Sequence, residues 1–158
     1  MISGLHVSIN RNERTVTDNE GNTKYEYDVE AFFVDKEEDI DKETEAHMLF
    51  LLHEYDKSVK VNNFKLQGHD MWLDKPTRDG LFLRFISEQK EGHTTTNVSG
   101  YTIPIDDALN MLYPLEVYAS ACWDNTDSHE KAIKALPNAL EKAKYDFTVG
   151  YPIKQLEF

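Results

Sequence analysis

The segment HDMWLDKPTRDGLFLRF (His69–Phe85) gathers His69, Asp70, Asp74, Arg78 and Asp79 into eleven residues. A histidine among carboxylates is a donor set for a metal ion, and a carboxylate beside an arginine can hold a proton in place. The spacing favours another reading. Metal donors must converge from rigid elements, whereas His69 and Asp70 are neighbours and point apart along an extended chain. Asp74 stands ahead of Lys75-Pro76-Thr77, with Leu81, Phe82, Phe85 and Ile86 following at helical spacing. A carboxylate before a first-turn proline is a helix N-cap, because its oxygen accepts a backbone N–H that has no partner within the helix. Asp79 then falls in the first turns, where negative charge is favoured, and Arg78 can pair back to Asp74. Each polar side chain has a structural task, and no metal ligand is assigned.

Two further groupings could carry chemistry. Cys122, Asp127 and His129 have the types of a thiol nucleophile, an orienting acid and a base. On one continuous helix, however, Cys122 and His129 are two turns apart, about 10 Å by rise alone, too far to share a hydrogen bond. A small buried cysteine and a histidine on the apolar face are the expected outcome. Trp72, Trp123, Tyr113, Tyr118 and Tyr151 could stack bases or sugars, or could simply fill a core. The chain has a net charge of −12, which opposes nucleic-acid stacking,. No GxGxxG, P-loop, HExxH or GxSxG pattern occurs,. No catalytic or cofactor-binding residue is assigned, no cofactor is expected, and the chain reads as a non-enzyme.

These residues need elements to hold them. KYEYDVEAFFVD (Lys24–Asp35) alternates with period two, which predicts a half-buried strand with Tyr25, Tyr27, Val29 and Ala31 inward,. LHVSIN (Leu5–Asn10) alternates similarly, and TDNEGN supplies turn chemistry between them, so an N-terminal antiparallel hairpin is expected,. DIDKETEAHMLFLLHEYDKS, acidic at its start, predicts a helix over about residues 41–55. VNNFKLQGHDMWL reads as extended, bending at Gly68. Gly92 should cap the helix that Asp74 opens, and HTTTNVSGYTIPI reads as a second hairpin. Asp106 is expected to cap a long helix with Leu109, Leu112, Leu115, Ala119, Cys122, Thr126, His129, Ile133 and Leu136 in one phase, bent at Pro114 and stopped by Pro137,. NALEKAK adds a last turn or two. In YDFTVGYP, Gly150 is expected to take a backbone shape that a Cβ would oppose, reversing the chain so that Phe147, Tyr151 and Phe158 pack on the long helix. The fold class is therefore α+β, with N-terminal antiparallel strands, a central hairpin and a C-terminal helical hairpin.

A length of 158 residues fits a single domain, 1–158,. No apolar run is long enough to span a membrane, and MISGLHVSIN lacks a basic region leading into an apolar one, so no secretory signal is expected,. The one cysteine, Cys122, excludes an internal disulfide and suits a reducing cytoplasm,. Residues 13–57 hold 15 acids against 5 bases and carry most of the excess charge. Such a stretch is a solvated face, a dock for a basic partner, or an imitation of nucleic acid; direct binding to nucleic acid is not expected.

The runs YDKSVKVNNFKLQGHDMWLDKPTRDGL, YTIPIDDALNMLYPLEVYASACWDNTDSHEKAIKAL and YDFTVGYP resemble a family of short proteins from bacteriophages and prophages of gut Bacteroidales. The second half is similar to a tail-associated domain of unknown function in phage tail and fibre proteins. The resemblance spans roughly residues 53–158 and rests on WLDKPTR, LEVYASACWDNT and YDFTVGYP in order. It divides the chain into an acidic strand and helix part, 1–52, and a family-like scaffold, 53–158. Alanine is common in the family where Pro76 stands here, and Pro114 is unusual. The family supplies no catalytic residue to carry over. The resemblance implies a virion structural or tail-accessory protein, made in the host bacterial cytoplasm and binding other virion proteins or itself as an oligomer. The alternative expectation is an acidic phage-encoded binder or inhibitor of a host protein.

Overall fold

Asp18 builds the first turn. Its carboxylate accepts the backbone N–H groups of Glu20 and Asn22, each at 2.9 Å, and reverses the chain between β1 (Leu5–Thr17) and β2 (Thr23–Val34), which pair antiparallel,. The computed structural model describes residues 5–66, 68–98 and 100–152, leaving out the side chain of Asn12. A register shift between Arg11 and Arg14 breaks the ladder near its middle,. A short 3-10 turn (Glu37–Asp39) leads into α1 (Ile40–Lys57). Two three-residue strands follow, β3 (Phe64–Leu66) and β4 (His69–Met71), then α2 (Lys75–Lys90). The hairpin β5 (Thr95–Val98) and β6 (Tyr101–Pro104) precedes α3 (Ile105–Ala135) and α4 (Ala139–Lys144). The architecture is α+β, with three separate two-stranded antiparallel sheets among the described residues.

The chain forms two compact units, Met1–His53 with Asp127–Val149, and Glu54–Thr126 with Gly150–Phe158. In the first, the inner face of the β1–β2 hairpin presents Ile9, Phe32 and Val34, and the unit also buries Met48, Leu52, Ile133 and Phe147. Phe32 stacks on His47 with ring centroids 4.6 Å apart. The Arg11 guanidinium lies 4.4 Å from the centre of the Phe147 ring and pairs with Glu30 at 3.7 Å. Two ties join α1 to α4: Lys142 Nζ reaches Glu45 at 2.5 Å, and the N–H of Ala139, the first residue of α4, donates to Asp41 at 2.6 Å. Asn138 caps α4, its side chain accepting the Glu141 N–H at 3.0 Å,.

β2 differs from its expected orientation. Tyr25, Tyr27, Val29 and Ala31 face outward, while Glu30, Phe32 and Val34 turn inward. Residues 31–34 are apolar on both faces, so alternation alone does not decide the side. The inward Glu30 is accommodated by Arg11, which carries the opposite charge,.

In the second unit, Val61, Phe64, Leu115, Tyr118 and Cys122 form one buried cluster, with Tyr55, Trp72 and Tyr151 packed against it. Phe85, Ile105, Ala108, Leu109 and Leu112 form another, and Leu73 packs on both. The apolar phase along α3 holds as expected from Leu109 to Ile133, with every position buried; Leu136 lies just past the helix end and is half-buried. α3 runs through Pro114 without interruption. It starts at Ile105, directly after β6, so Asp106 is a first-turn residue rather than a cap, and its carboxylate accepts from the Gln89 amide at 3.0 Å. No helix among the described residues is long and apolar enough to cross a membrane.

Candidate functional site

The residues of His69–Phe85 are held apart by their elements. Asp74 caps α2 as expected, its Oδ1 accepting the Thr77 N–H at 2.9 Å. The Thr77 hydroxyl, and then its backbone N–H, hold the Asp74 carboxyl below the usual carboxylate range. Lys75 pairs with Asp79 one turn on, at 3.2 Å. Asp70 sits opposite Lys65 in the β3–β4 ladder and accepts from Lys65 at 2.9 Å and Asn63 at 3.2 Å, which lower its pKa. His69 is exposed and pairs across the ladder with Leu66.

Arg78 departs from its expected pairing with Asp74. It is buried; its Nε donates to Glu116 and its Nη1 to the Leu73 carbonyl, both at 2.6 Å. The guanidinium lies over Trp72, 5.5 Å from the ring centre,. Arg78 thus ties the start of α2 to α3 through a partner 38 residues away.

Cys122, Asp127 and His129 are each committed separately. Cys122 lies in the second unit's core, where burial pushes the thiol pKa up, against the thiolate a nucleophile needs,. Asp127 pairs with Lys131 at 2.5 Å. His129 is buried in the first unit, with Nδ1 and Nε2 each 2.8 Å from a partner, the Tyr145 hydroxyl and the Val149 carbonyl. No group of three His, Cys, Asp or Glu side chains among the described residues could hold a metal ion.

The aromatics divide by burial. Tyr118 is a core residue: its hydroxyl donates to the Val61 carbonyl at 2.6 Å, and burial raises its pKa to about 12. Tyr151 closes the second unit through a 2.8 Å hydrogen bond between its hydroxyl and that of Thr126. Trp72 and Trp123 line an open groove of about 550 Å³ with Asn62, Arg78, Glu116 and Asp124. Trp72 is held there by Arg78 and an edge-on contact with Tyr118, while Trp123 is 66 % exposed.

The most distinctive surface is the outer face of the β1–β2 hairpin. Phe33, Val29, Tyr27 and Tyr25 are 63, 57, 45 and 58 % exposed along one side of β2, with Ala31 among them. The register sets His6, Ser8, Asn10 and Thr15 beside this row on β1. His6 meets Phe33 with ring centroids 5.4 Å apart, and Tyr25 meets Tyr27 at 5.9 Å. The charges of the hairpin lie on the other side, where Arg14 pairs with Glu26 and Asp28, and Lys24 with Glu26. Among the described residues, the one charged side chain at the outer face is Glu13, which accepts from the Tyr25 hydroxyl. Sequence periodicity found this row of residues and placed it inward. The signal that would have turned it outward is the Arg11–Glu30 pair, a compensated charge on the opposite side of both strands.

Comparison of the chain with protein-family models, with curated proteins and with solved structures gives no match.

Proposed function

We propose that this chain is a non-enzymatic structural or tail-accessory protein of a bacteriophage particle, acting through protein–protein contacts. The observation that carries the proposal is the outer hairpin face: an aromatic row left uncovered on a chain of net charge −12. A surface of this kind gains by excluding water against another protein and has no group placed to do chemistry. The resemblance of residues 53–158 to phage tail-associated proteins supplies the biological setting. Of the 15 acids in residues 13–57, Glu26, Asp28, Glu30, Glu38, Glu45 and Glu54 are paired with bases of the same chain.

The test is a quantitative mass-spectrometric inventory of purified particles of the phage that encodes the chain. The expected result is a fixed copy ratio to the major tail proteins. Absence from particles, with recovery on a host protein from infected cells, would overturn the proposal in favour of the acidic inhibitor.

A further inference from the structure

We propose that the groove lined by Trp72 and Trp123 binds an uncharged saccharide. This goes beyond the particle reading and does not rest on it.

The residues lining the groove all belong to the second unit. α3 contributes Glu116, Ser120 and Trp123, which recur at helical spacing on one of its faces, and Asn62, Trp72 and Arg78 come from the segments before it,. The volume of about 550 Å³ is that of a small-ligand site,.

Charge selects a neutral ligand. An anion would meet the carboxylates of Asp56, Glu116 and Asp124 on a chain of net charge −12,. A cation would find the Trp72 ring already occupied, since the Arg78 guanidinium lies 5.5 Å from its centre,. It would also find Glu116 already paired with Arg78 at 2.6 Å and with Lys75 at 3.7 Å.

Polarity selects a hydroxyl-rich one. The half-buried Asn62 amide and the Ser120 hydroxyl make no hydrogen bond to another described residue. A purely apolar ligand would strip water from both, and from the Arg78–Glu116 pair, and replace none of it. A sugar hydroxyl both donates and accepts, as an amide and a hydroxyl require, and the C–H face of the sugar ring covers indole surface, of which Trp123 offers most at 66 % exposed,. The remaining polar groups are already fixed. Arg78 Nη1 donates to the Leu73 carbonyl at 2.6 Å, and Asp56 accepts from the Thr126 hydroxyl at 2.9 Å, so binding orders few side chains,.

Trp72 and Trp123 are the chain's two tryptophans, so tryptophan emission and the two indole N–H resonances both report on the groove. The full chain is screened against an array of neutral oligosaccharides of glucose, galactose, mannose and N-acetylglucosamine, and the strongest binder is titrated while both signals are followed. The expected result is saturable binding that shifts both indoles. Trp123→Ala, followed at Trp72, should weaken binding about tenfold. Asn62→Ala and Ser120→Ala should each weaken it about two- to tenfold, so the test survives if one variant misfolds. Tyr101→Ala, at an aromatic residue 73 % exposed and outside the groove, should leave binding unchanged. An array on which no sugar shifts the indoles, binding indifferent to the three groove variants, or larger shifts from tetramethylammonium or inorganic phosphate than from any sugar at equal concentration would each overturn the proposal. None of these results would touch the particle reading, which falls only if particles lack the chain.

Discussion

Asp74 holds a titratable carboxylate at the start of α2, and its bonds from Thr77 keep its pKa below the ordinary value. Asp146 is held low in the same manner by the Thr148 hydroxyl at 2.6 Å and its backbone N–H at 2.9 Å. A carboxyl whose folded pKa is depressed contributes stability that is complete above its unfolded pKa, about 3.9, and that is lost as pH falls through the folded value. Asp74→Asn keeps a capping oxygen but cannot titrate. Its urea midpoint should stay near wild type at neutral pH and fall less steeply on acidification; parallel curves for the two proteins would refute the linkage. Asp74→Ala should lower the midpoint at every pH above that range without changing metal content. Gly150 is the second decisive residue. Its φ is +81°, and an added Cβ would lie 2.8 Å from the Asn125 Oδ1. Gly150→Val should cost about 1–3 kcal/mol in chemical denaturation, and an unchanged midpoint would contradict this. Both positions were legible in the sequence, because a cap and a left-handed turn are set by near neighbours. The expected packing on the long helix is met for Tyr151, which packs against the cluster holding Leu115, Tyr118 and Cys122 and bonds Thr126; Phe147 is buried in the first unit under the Arg11 guanidinium, and Phe158 lies outside the described residues. The partner of Arg78 was not legible, since local spacing offered Asp74 while the fold brought Glu116.

Among the elements, α3 was read most fully. Its apolar phase persists through WDNTDSH because Thr126 and His129, polar by type, occupy buried positions and have hydrogen-bond partners there. Pro114 within it removes the donor that would serve the Asn110 carbonyl one turn back,. Pro114→Ala should therefore stabilise the protein by about 1–3 kcal/mol in equilibrium denaturation, and a loss of stability would mean that the ring's own packing matters more. β2 was read in type and extent but with its faces exchanged. Tyrosine, valine and phenylalanine on one side outweigh glutamate on the other in any hydrophobic pattern. The fold reverses that preference by neutralising Glu30 with Arg11 and leaving the aromatic row outside. Such an inversion depends on a pairing between strands and is invisible in β2 alone.

On the scale of the whole molecule, residues 127–149 belong to the same compact unit as the N-terminal part, and only the remainder of the second half forms the other. That division follows from contacts between segments distant in the chain, which composition and periodicity do not encode. The uncovered aromatic face is a property of the folded surface, and it carries the proposal of a protein that works by contact. The most direct test places a probe on that face. Cys122, the chain's one cysteine, is buried, so Val29→Cys introduces a single accessible thiol. Maleimide modification is then followed for the dilute free protein and for intact particles assembled with the variant. The expected result is rapid modification of the free protein and protection of at least about tenfold in the particle, as for a residue at the centre of a contact. Equal rates in both states would contradict it.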